Sequence, residues 1–233
     1  MQDDVKFLDA TVFCEIPSAD LVPMIAQSRI RQYADGDLIF SRGDAGNQAY
    51  IVIDGLVRIS SLSESGKRVT VEIFKEQDVF GELSVIDRGT RTADATALGF
   101  VKVGAIPAEA FRELLYRSPV FGINLLRLMT TRIRRTYTLL EDASLADLEH
   151  RLARQVLYLV KLGASGSQRV RLYSRLHQSD LADLLGATPR SIISILNKWR
   201  SESLANFDGR TAQLTILDTE RFRALAEGVT REK

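Results

Sequence analysis

Between Ile30 and Ile106 the apolar residues come in short runs, interrupted about every ten positions by glycine and polar residues. Leu38-Ile39-Phe40, Tyr50-Ile51-Val52-Ile53 and Leu56-Val57-Arg58-Ile59-Ser60 have the length and β-branched content of strands. Asp35-Gly36-Asp37, Arg42 to Asn47 and Glu64-Ser65-Gly66-Lys67 read as turns, and Asp54-Gly55 reads as a hairpin turn. From Arg68 to Phe74 the alternation points Val69, Val71 and Ile73 inward, and two more strands are expected at Thr92–Ala97 and Phe100–Val103. Short strands at this spacing predict an antiparallel β-roll, jelly-roll-like. Ahead of it, residues 5–28 predict two short helices, with Pro17-Ser18-Ala19-Asp20 as turn and cap before Leu21, Met24 and Ile25.

Past Ile106 the period changes from two to about 3.6. Pro107 to Phe111 opens a helix with Phe111, Leu114 and Leu115 on one face, and a longer helix is expected from about Pro119 to Ser144. Along it Gly122, Leu126, Met129, Ile133, Thr136, Leu140 and Ala143 fall at alternating four- and three-residue intervals, a heptad seam. A small barrel cannot cover so long a helix on every side, so the seam predicts a parallel homodimer; the rival is a helix that packs only on its own barrel. Thr136 is the polar member, either tolerated there or aimed at a ligand. Asp147 then caps a helix carrying Leu148, Leu152, Val156, Leu159 and Val160, which makes Ser144–Asp147 the candidate hinge; Lys161 to Ser167 reads as a loop.

Residues 177–201 hold two helical patterns joined by a Gly186-led turn, the second opened by Thr188 as cap and Pro189 as first residue. That is the order of a helix-turn-helix. On a helical wheel Ile192, Ile195, Leu196 and Trp199 share one face, whereas Arg190, Ser194, Asn197 and Ser201 share the other, flanked by Lys198 and Arg200. Arg can fork onto guanine and Asn onto adenine, and the flanking cations can neutralise phosphates. His177, Gln178, Thr188 and Ser191, at the starts of the two helices, complete the expected DNA-contact set. Leu204-Ala205 and Gln213 to Ile216, separated by Asn206 to Arg210, read as a β-hairpin that makes the module winged. The fold class is therefore α+β, divided as 1–118 (β-roll with N-terminal helices), 119–146 (dimer helix and hinge) and 147–233 (winged helix-turn-helix).

A net charge of +1 over 233 residues hides an asymmetry. Residues 1–147 carry 17 Lys/Arg against 21 Asp/Glu, net −4, and residues 148–233 carry 14 against 9, net +5. The basic second part is compatible with nucleic acid. Cys14 is the only cysteine, and His150 and His177 stand far apart, so no internal disulfide, metal-ligand spacing or nucleophile–base pair can be assembled. No apolar run reaches the length of a membrane span and the start Met1-Gln2-Asp3-Asp4 is acidic, so a cytoplasmic protein without metal or cofactor is expected.

The stretch Phe80-Gly81-Glu82-Leu83-Ser84 to Arg91-Thr92-Ala93 carries the remaining chemistry. Gly81 lets backbone approach a ligand, and the next few residues can form one helical turn whose N–H groups favour an anion. Glu82 can accept from a ribose hydroxyl, Arg91 can fork onto phosphate oxygens, and Thr92 adds a donor. A β-hairpin with a surface Glu82–Arg91 ion pair would use the same residues. Here, however, the chain resembles the cyclic-nucleotide-binding domain, whose phosphate cassette reads F-G-E-L, a short helix, then R-[TSA]-A. Gly81, Glu82, Leu83 and Arg91 all match at the right interval, with Ser84 and Thr92 beside them.

With the winged module the resemblance extends to the CRP/FNR family of transcription regulators over about residues 18–217. It implies a cyclic nucleotide as effector (cAMP favoured over cGMP), double-stranded DNA and a second copy as partners, RNA polymerase as a further partner, and no enzymatic activity. It also implies that Thr136 and the next residue touch the purine from both subunits; Tyr137 stands where serine is usual. Arg132 matches a basic position near the pocket. In the recognition helix, Pro189 replaces the family's base-reading arginine and Arg190 its glutamate, so a different operator is expected. His177 takes the place of a frequent threonine. Two other readings stay open: a family member that binds DNA without a cyclic nucleotide or senses another effector, and a nucleotide-binding regulatory subunit of a partner enzyme.

Overall fold

Two long strands set the architecture of the first part. A computed structural model describes residues 7–63, 68–163, 177–211 and 213–228. Within it β1 (Arg29–Tyr33), β2 (Leu38–Phe40), β3 (Gln48–Leu62), β4 (Arg68–Phe74), β5 (Val79–Phe80) and β6 (Asp94–Pro107) form one sheet ordered β1-β6-β3-β4, with β2 paired to β6 and β5 to β3. The β3–β6 ladder runs antiparallel from Gln48 opposite Pro107 to Ser60 opposite Asp94.

That ladder corrects the expected hairpin. β3 runs straight through Asp54-Gly55, and β6 joins the two strands expected at Thr92–Ala97 and Phe100–Val103. Register shifts on both sides of Asp54, Gly55 has φ +87°, and a Cβ on it would stand 2.4 Å from the carbonyl oxygen of Phe100. The glycine is a kink where two neighbouring strands bend together, so a turn-like dipeptide serves as a bulge.

β4 holds a second correction. Val69 and Val71 are exposed, and of the three residues expected inside only Ile73 is buried. Phe74 stacks with Phe80 at 6.0 Å between ring centroids, which fixes the phase so that Thr70, Glu72 and Phe74 point the same way.

The run Tyr50–Ile53 is buried at every position because β3 is covered on both faces. Tyr50 and Val52 enter the roll interior with Phe80, Ala95, Val101 and Val103. Ile51 and Ile53 lie under the helices, against Leu21 and Met24 of α1 (Ser18–Gln27), Phe111 and Leu114 of α3 (Ala108–Arg117), and Phe121 and Leu125 of α4 (Pro119–Leu145). A four-residue helix, α2 (Leu83–Ile86), follows the cassette glycine. Of the two helices expected before β1, the described residues show Phe7 and Leu8 in helix, a 3₁₀ turn at Thr11–Phe13, and α1, whose first turn closes by Asp20 N–H donating to the Pro17 carbonyl. The acidic Met1 to Asp4 and the Glu64–Lys67 turn lie outside the described residues.

The chain divides into two compact units. The described residues to Leu62 with Val71–Arg135 make the first; those between Ser63 and Thr70, and from Thr136 onward, make the second. The boundary cuts α4 after Arg135, whereas the parts 1–118, 119–146 and 147–233 follow element ends. The three parts are proposed functional divisions.

The second unit contains α5 (Leu148–Gly163), α6 (Gln178–Leu185), α7 (Pro189–Ser201), the antiparallel pair β7 (Ala205–Asp208) and β8 (Gln213–Ile216), and α8 (Thr219–Glu227). Leu152, Val156, Leu181, Ile192, Leu196, Trp199, Leu214 and Phe222 are buried. The first wing strand extends through Asn206–Asp208, which the sequence assigned to the turn. Lys161–Gly163 belongs to α5, against the expected loop, whose remainder (164–167) lies outside the described residues. Helix α8 was not anticipated, although Asp218 caps it by accepting from Arg221 N–H, Gly228 ends it, and Phe222 and Ala226 are buried four residues apart.

At the start of α5, His150 N–H donates to Asp147 Oδ1 at 2.9 Å, and this bond leads the effects that hold the Asp147 carboxyl below its ordinary value. Asp147→Ala is expected to lower the stability of the second unit by about 1 kcal/mol at neutral pH, the usual worth of such a cap, while Asp147→Asn retains most of it. Because the folded carboxyl is the stronger acid, its contribution is complete above the unfolded-state value near 3.8 and disappears as pH falls through the lower folded value. Urea melts at pH 7 and pH 3 check this: the difference between wild type and Asp147→Ala shrinks at the lower pH.

Candidate functional site

Strand β5 delivers Gly81 at φ +70° into the cassette, a conformation that favours glycine, and a Cβ there would lie 2.7 Å from Arg91 Nη1 and displace the guanidinium. Arg91 is 4% exposed. Its Nη1 donates to the Gly81 carbonyl (2.6 Å) and to Ser84 Oγ (2.8 Å), and its Nη2 donates to the Gln48 carbonyl (2.7 Å). The guanidinium lies 4.2 Å above the Phe40 ring. Its Nε–H is buried and has no acceptor. Burial pulls the guanidinium below its ordinary pKa, opposed by the fields of Tyr50, Asp44 and Glu82.

Glu82 is 3% exposed and accepts at Oε1 from Arg132 Nη1 of α4, 2.8 Å away. Arg132 Nη2 also reaches the Val79 carbonyl, and its guanidinium covers Phe74 at 4.4 Å. One turn on, Arg135 Nε bonds Glu72 Oε2 at 2.8 Å. A surface Glu82–Arg91 pair is thereby excluded, since both residues are buried and the cation on Glu82 is Arg132. Sinking a charged group away from water costs several kcal/mol. Arg91 meets neutral acceptors only, over a floor of stacked Phe40, Tyr50, Phe80 and Phe74. A buried cation bonded to carbonyl and hydroxyl oxygens, with no carboxylate among those acceptors and one donor unused, is suited to receive an anionic ligand.

Of the other expected site residues, Ser84 is buried and bonded to Arg91, whereas Leu83 and Thr92 are exposed beside them. Arg132 joins the cluster. Thr136 and Tyr137 belong to the second unit, where both are exposed. The sequence reading missed Gln48, whose carbonyl anchors Arg91, as well as Phe40, Tyr50 and the Arg135–Glu72 pair. Strand alternation sends Phe40 and Tyr50 inward, but no local pattern announces that an arginine from the far end of the cassette will stack on Phe40.

Along the seam, Leu126, Ile133 and Leu140 are 62%, 55% and 63% exposed. Met129 is different: it is half-buried and packs on the core of its own roll, on the stripe of Phe121, Leu125 and Leu128. Helix α4 thus has one face on its roll and a second apolar row left open, and Met129 moves from the second to the first.

In the second unit, α6 begins after His177, whose backbone N–H donates to Asp180 Oδ2 (2.7 Å), so His177 sits at the cap and Gln178 opens the helix half-buried. Gly186 ends α6, and Thr188 Oγ1 accepts from Ser191 N–H at 3.2 Å to start α7, the Thr188 and Ser191 hydroxyls lying 2.9 Å apart. Ile192, Leu196 and Trp199 are buried, while Arg190, Ser194, Asn197 and Arg200 are exposed. Lys198 departs from that group. Its Nζ is held at 2.7 Å by Glu149 Oε2 of α5, which raises its pKa, and Glu149 Oε1 accepts the Trp199 indole N–H at 2.9 Å. Among the described residues no cluster of His, Cys, Asp and Glu could hold a metal ion, and no helix is long and apolar enough to cross a membrane.

Two stretches of the chain match known protein families. Residues 30–118 match the family described as cyclic nucleotide-binding domain, and residues 150–225 match the Crp-like helix-turn-helix domain. A CRP-like cAMP-activated global transcriptional regulator of Mycobacterium tuberculosis is 28% identical, with 91% of this chain and 94% of that protein covered. A global nitrogen regulator of Synechococcus elongatus is also 28% identical, over 83% of this chain and 86% of its own. Among solved structures, FixK2 from Bradyrhizobium japonicum superposes with a TM-score of 0.76 over 85% of this chain and 96% of that one, at 18% identity, which is a likeness of fold.

Proposed function

Since the chain belongs to the CRP/FNR family of DNA-binding transcription regulators, we propose that it acts as a homodimer whose grip on DNA is set by a cyclic nucleotide, with cAMP favoured over cGMP. It is a regulator and not an enzyme. The observation that carries the effector reading is the buried Arg91, whose Nε–H lacks an acceptor within a cassette that also buries Glu82. The cyclic phosphate takes Arg91 and the cassette N–H groups. A ribose hydroxyl donates to Glu82, and because Glu82 Oε1 already holds Arg132, the sugar's grip is felt on α4 through one guanidinium. Thr136 and Tyr137 are assigned to the purine end. The preference for cAMP is supported by the name of the Mycobacterium relative.

Two α4 helices meeting along Leu126, Ile133 and Leu140 account for the open apolar row, and sedimentation at micromolar concentration tests this: a monomer there contradicts it. The Ser144–Asp147 hinge then places two α7 helices ~34 Å apart, one turn of DNA. Arg190, Ser194 and Asn197 face base edges, and His177, Gln178, Thr188, Ser191 and Arg200 face the backbone; Lys198 would have to leave Glu149 to join them. RNA polymerase as a further partner and a cytoplasmic location complete the reading.

A second reading has its own support. Both Nη atoms of Arg91 are already engaged by Gly81, Ser84 and Gln48, and a relative of equal identity carries no nucleotide in its name. In that reading DNA binding needs no cyclic nucleotide. A gel-shift on an operator selected from random duplexes separates the two. Nucleotide control gives a rise of at least about fivefold in DNA affinity with saturating cAMP, the low end of ordinary allosteric coupling. Full affinity without nucleotide, unchanged on adding cAMP or cGMP, overturns it.

A further inference from the structure

One residue on the outer side of α7 breaks its polar pattern. Ile193 is 39% exposed, with Arg190 three residues before it, Ser194 next to it and Asn197 four residues after it, all exposed. A single exposed aliphatic residue on a protein surface is unremarkable in itself. This one differs in its position. The core-facing side of α7 is complete without it: Ile192 (0% exposed), Leu196 (5%) and Trp199 (0%) fill that stripe. Helical spacing at i−3 and i+4 puts Ile193 on one continuous surface with Arg190 and Asn197.

We propose that Ile193 reads the 5-methyl group of a thymine in each operator half-site. The reading rests on DNA recognition by the helix-turn-helix, and the chemistry follows from what the major groove presents. Hydrogen-bonding side chains distinguish guanine and adenine by their donors and acceptors, whereas the thymine methyl is the one apolar feature there, and an apolar side chain is its complement. Ile193 offers a β-branched aliphatic surface with a stiff χ1 and no polar atom that needs a partner. Seven residues of helix rise ~10 Å, which spans about three base-pair steps of ~3.4 Å. The thymine therefore lies in the same three-to-four-base-pair block as the bases faced by Arg190 and Asn197. The inference adds a third letter to the half-site, at a place where polar residues alone would leave the sequence open.

The test uses the full-length chain and removes the methyl from the DNA. An operator is first selected from random duplexes, and each thymine of a half-site is then replaced in turn by deoxyuridine, which pairs identically and lacks only the methyl. The expected result is one position per half-site at which wild type binds about fourfold more weakly, the worth of one buried methyl group. At that position Ile193→Ala binds thymine and deoxyuridine equally, and Ile193→Val retains part of the difference. Wild type insensitive to deoxyuridine at every thymine overturns the proposal, as does a sensitivity that persists unchanged in Ile193→Ala. If the folded wild type selects no DNA sequence, DNA reading itself fails and the proposal fails with it. If it selects a sequence that tolerates deoxyuridine throughout, only the role of Ile193 is refuted. Should Ile193→Ala not fold, the wild-type scan and Ile193→Val decide the matter.

Discussion

Trp199→Ala is expected to lower the stability of the DNA-reading unit by about 3–5 kcal/mol, the range for deleting a large aromatic side chain from a packed core. Trp199 is fully buried on the core side of α7, its ring edge-on to Phe222 of α8 at 5.0 Å, and its indole N–H satisfies Glu149 of α5. One side chain thus joins three helices. Against a total stability of about 5–15 kcal/mol for a typical domain, such a loss leaves the unit close to unfolding. Circular dichroism in urea should show an early transition confined to part of the signal. DNA binding should vanish at every nucleotide concentration while nucleotide binding by the first unit persists. Trp199→Phe keeps the ring and loses the N–H, and falls between the two. A loss below 1 kcal/mol in Trp199→Ala would mean that the three helices are held by other contacts.

The second large effect is expected at Arg91. Arg91→Ala leaves the carbonyls of Gly81 and Gln48 and the hydroxyl of Ser84 without their donor, and opens a gap above Phe40. Hydrogen bonds to a charged group are worth about 1.5–3 kcal/mol each. Relief of the guanidinium's own burial offsets part of that sum, so a net loss of about 2–3 kcal/mol in the first unit is expected. Nucleotide affinity should fall at least about 100-fold, since the phosphate loses a forked, charge-assisted partner. Arg91→Lys separates the roles. A lysine restores charge but cannot fork, so it should recover part of the stability and little of the affinity. Thermal melts and nucleotide titrations of the two variants check both halves; wild-type nucleotide affinity in Arg91→Ala would remove Arg91 from the site.

How much of this was readable in advance depends on the range of the interaction that decides each feature. The helix-turn-helix was legible because its signals are local: the Thr188 cap, Pro189 at the first position and Gly186 in the turn act within a few residues. In the cassette, Gly81, Glu82 and Arg91 were legible from the family pattern they match, but the bonds of Arg91 to Gln48 and of Glu82 to Arg132 were not. Asp54-Gly55 misled because a turn-forming dipeptide says what the backbone can do, whereas the ladder with β6 decided what it did. Alternation points Val69 and Val71 inward, yet the phase of β4 is set by Phe74 meeting Phe80 across the roll. Met129 satisfies a heptad and a roll-facing stripe together, and spacing could not choose between them. Lys198 was expected at DNA on its position in α7, but its carboxylate partner lies on α5. The Gly55 and Lys198 misses turn on partners distant in sequence.

The central claim is that a buried guanidinium and a buried carboxylate of one cassette hold a cyclic ribose phosphate. Isothermal titration of the purified, folded protein with cAMP and then with cGMP tests it most directly. The account predicts saturable heat with one nucleotide bound per chain, tighter for cAMP, and a collapse of that signal in Arg91→Lys. No heat with either nucleotide from a folded wild-type dimer would contradict it.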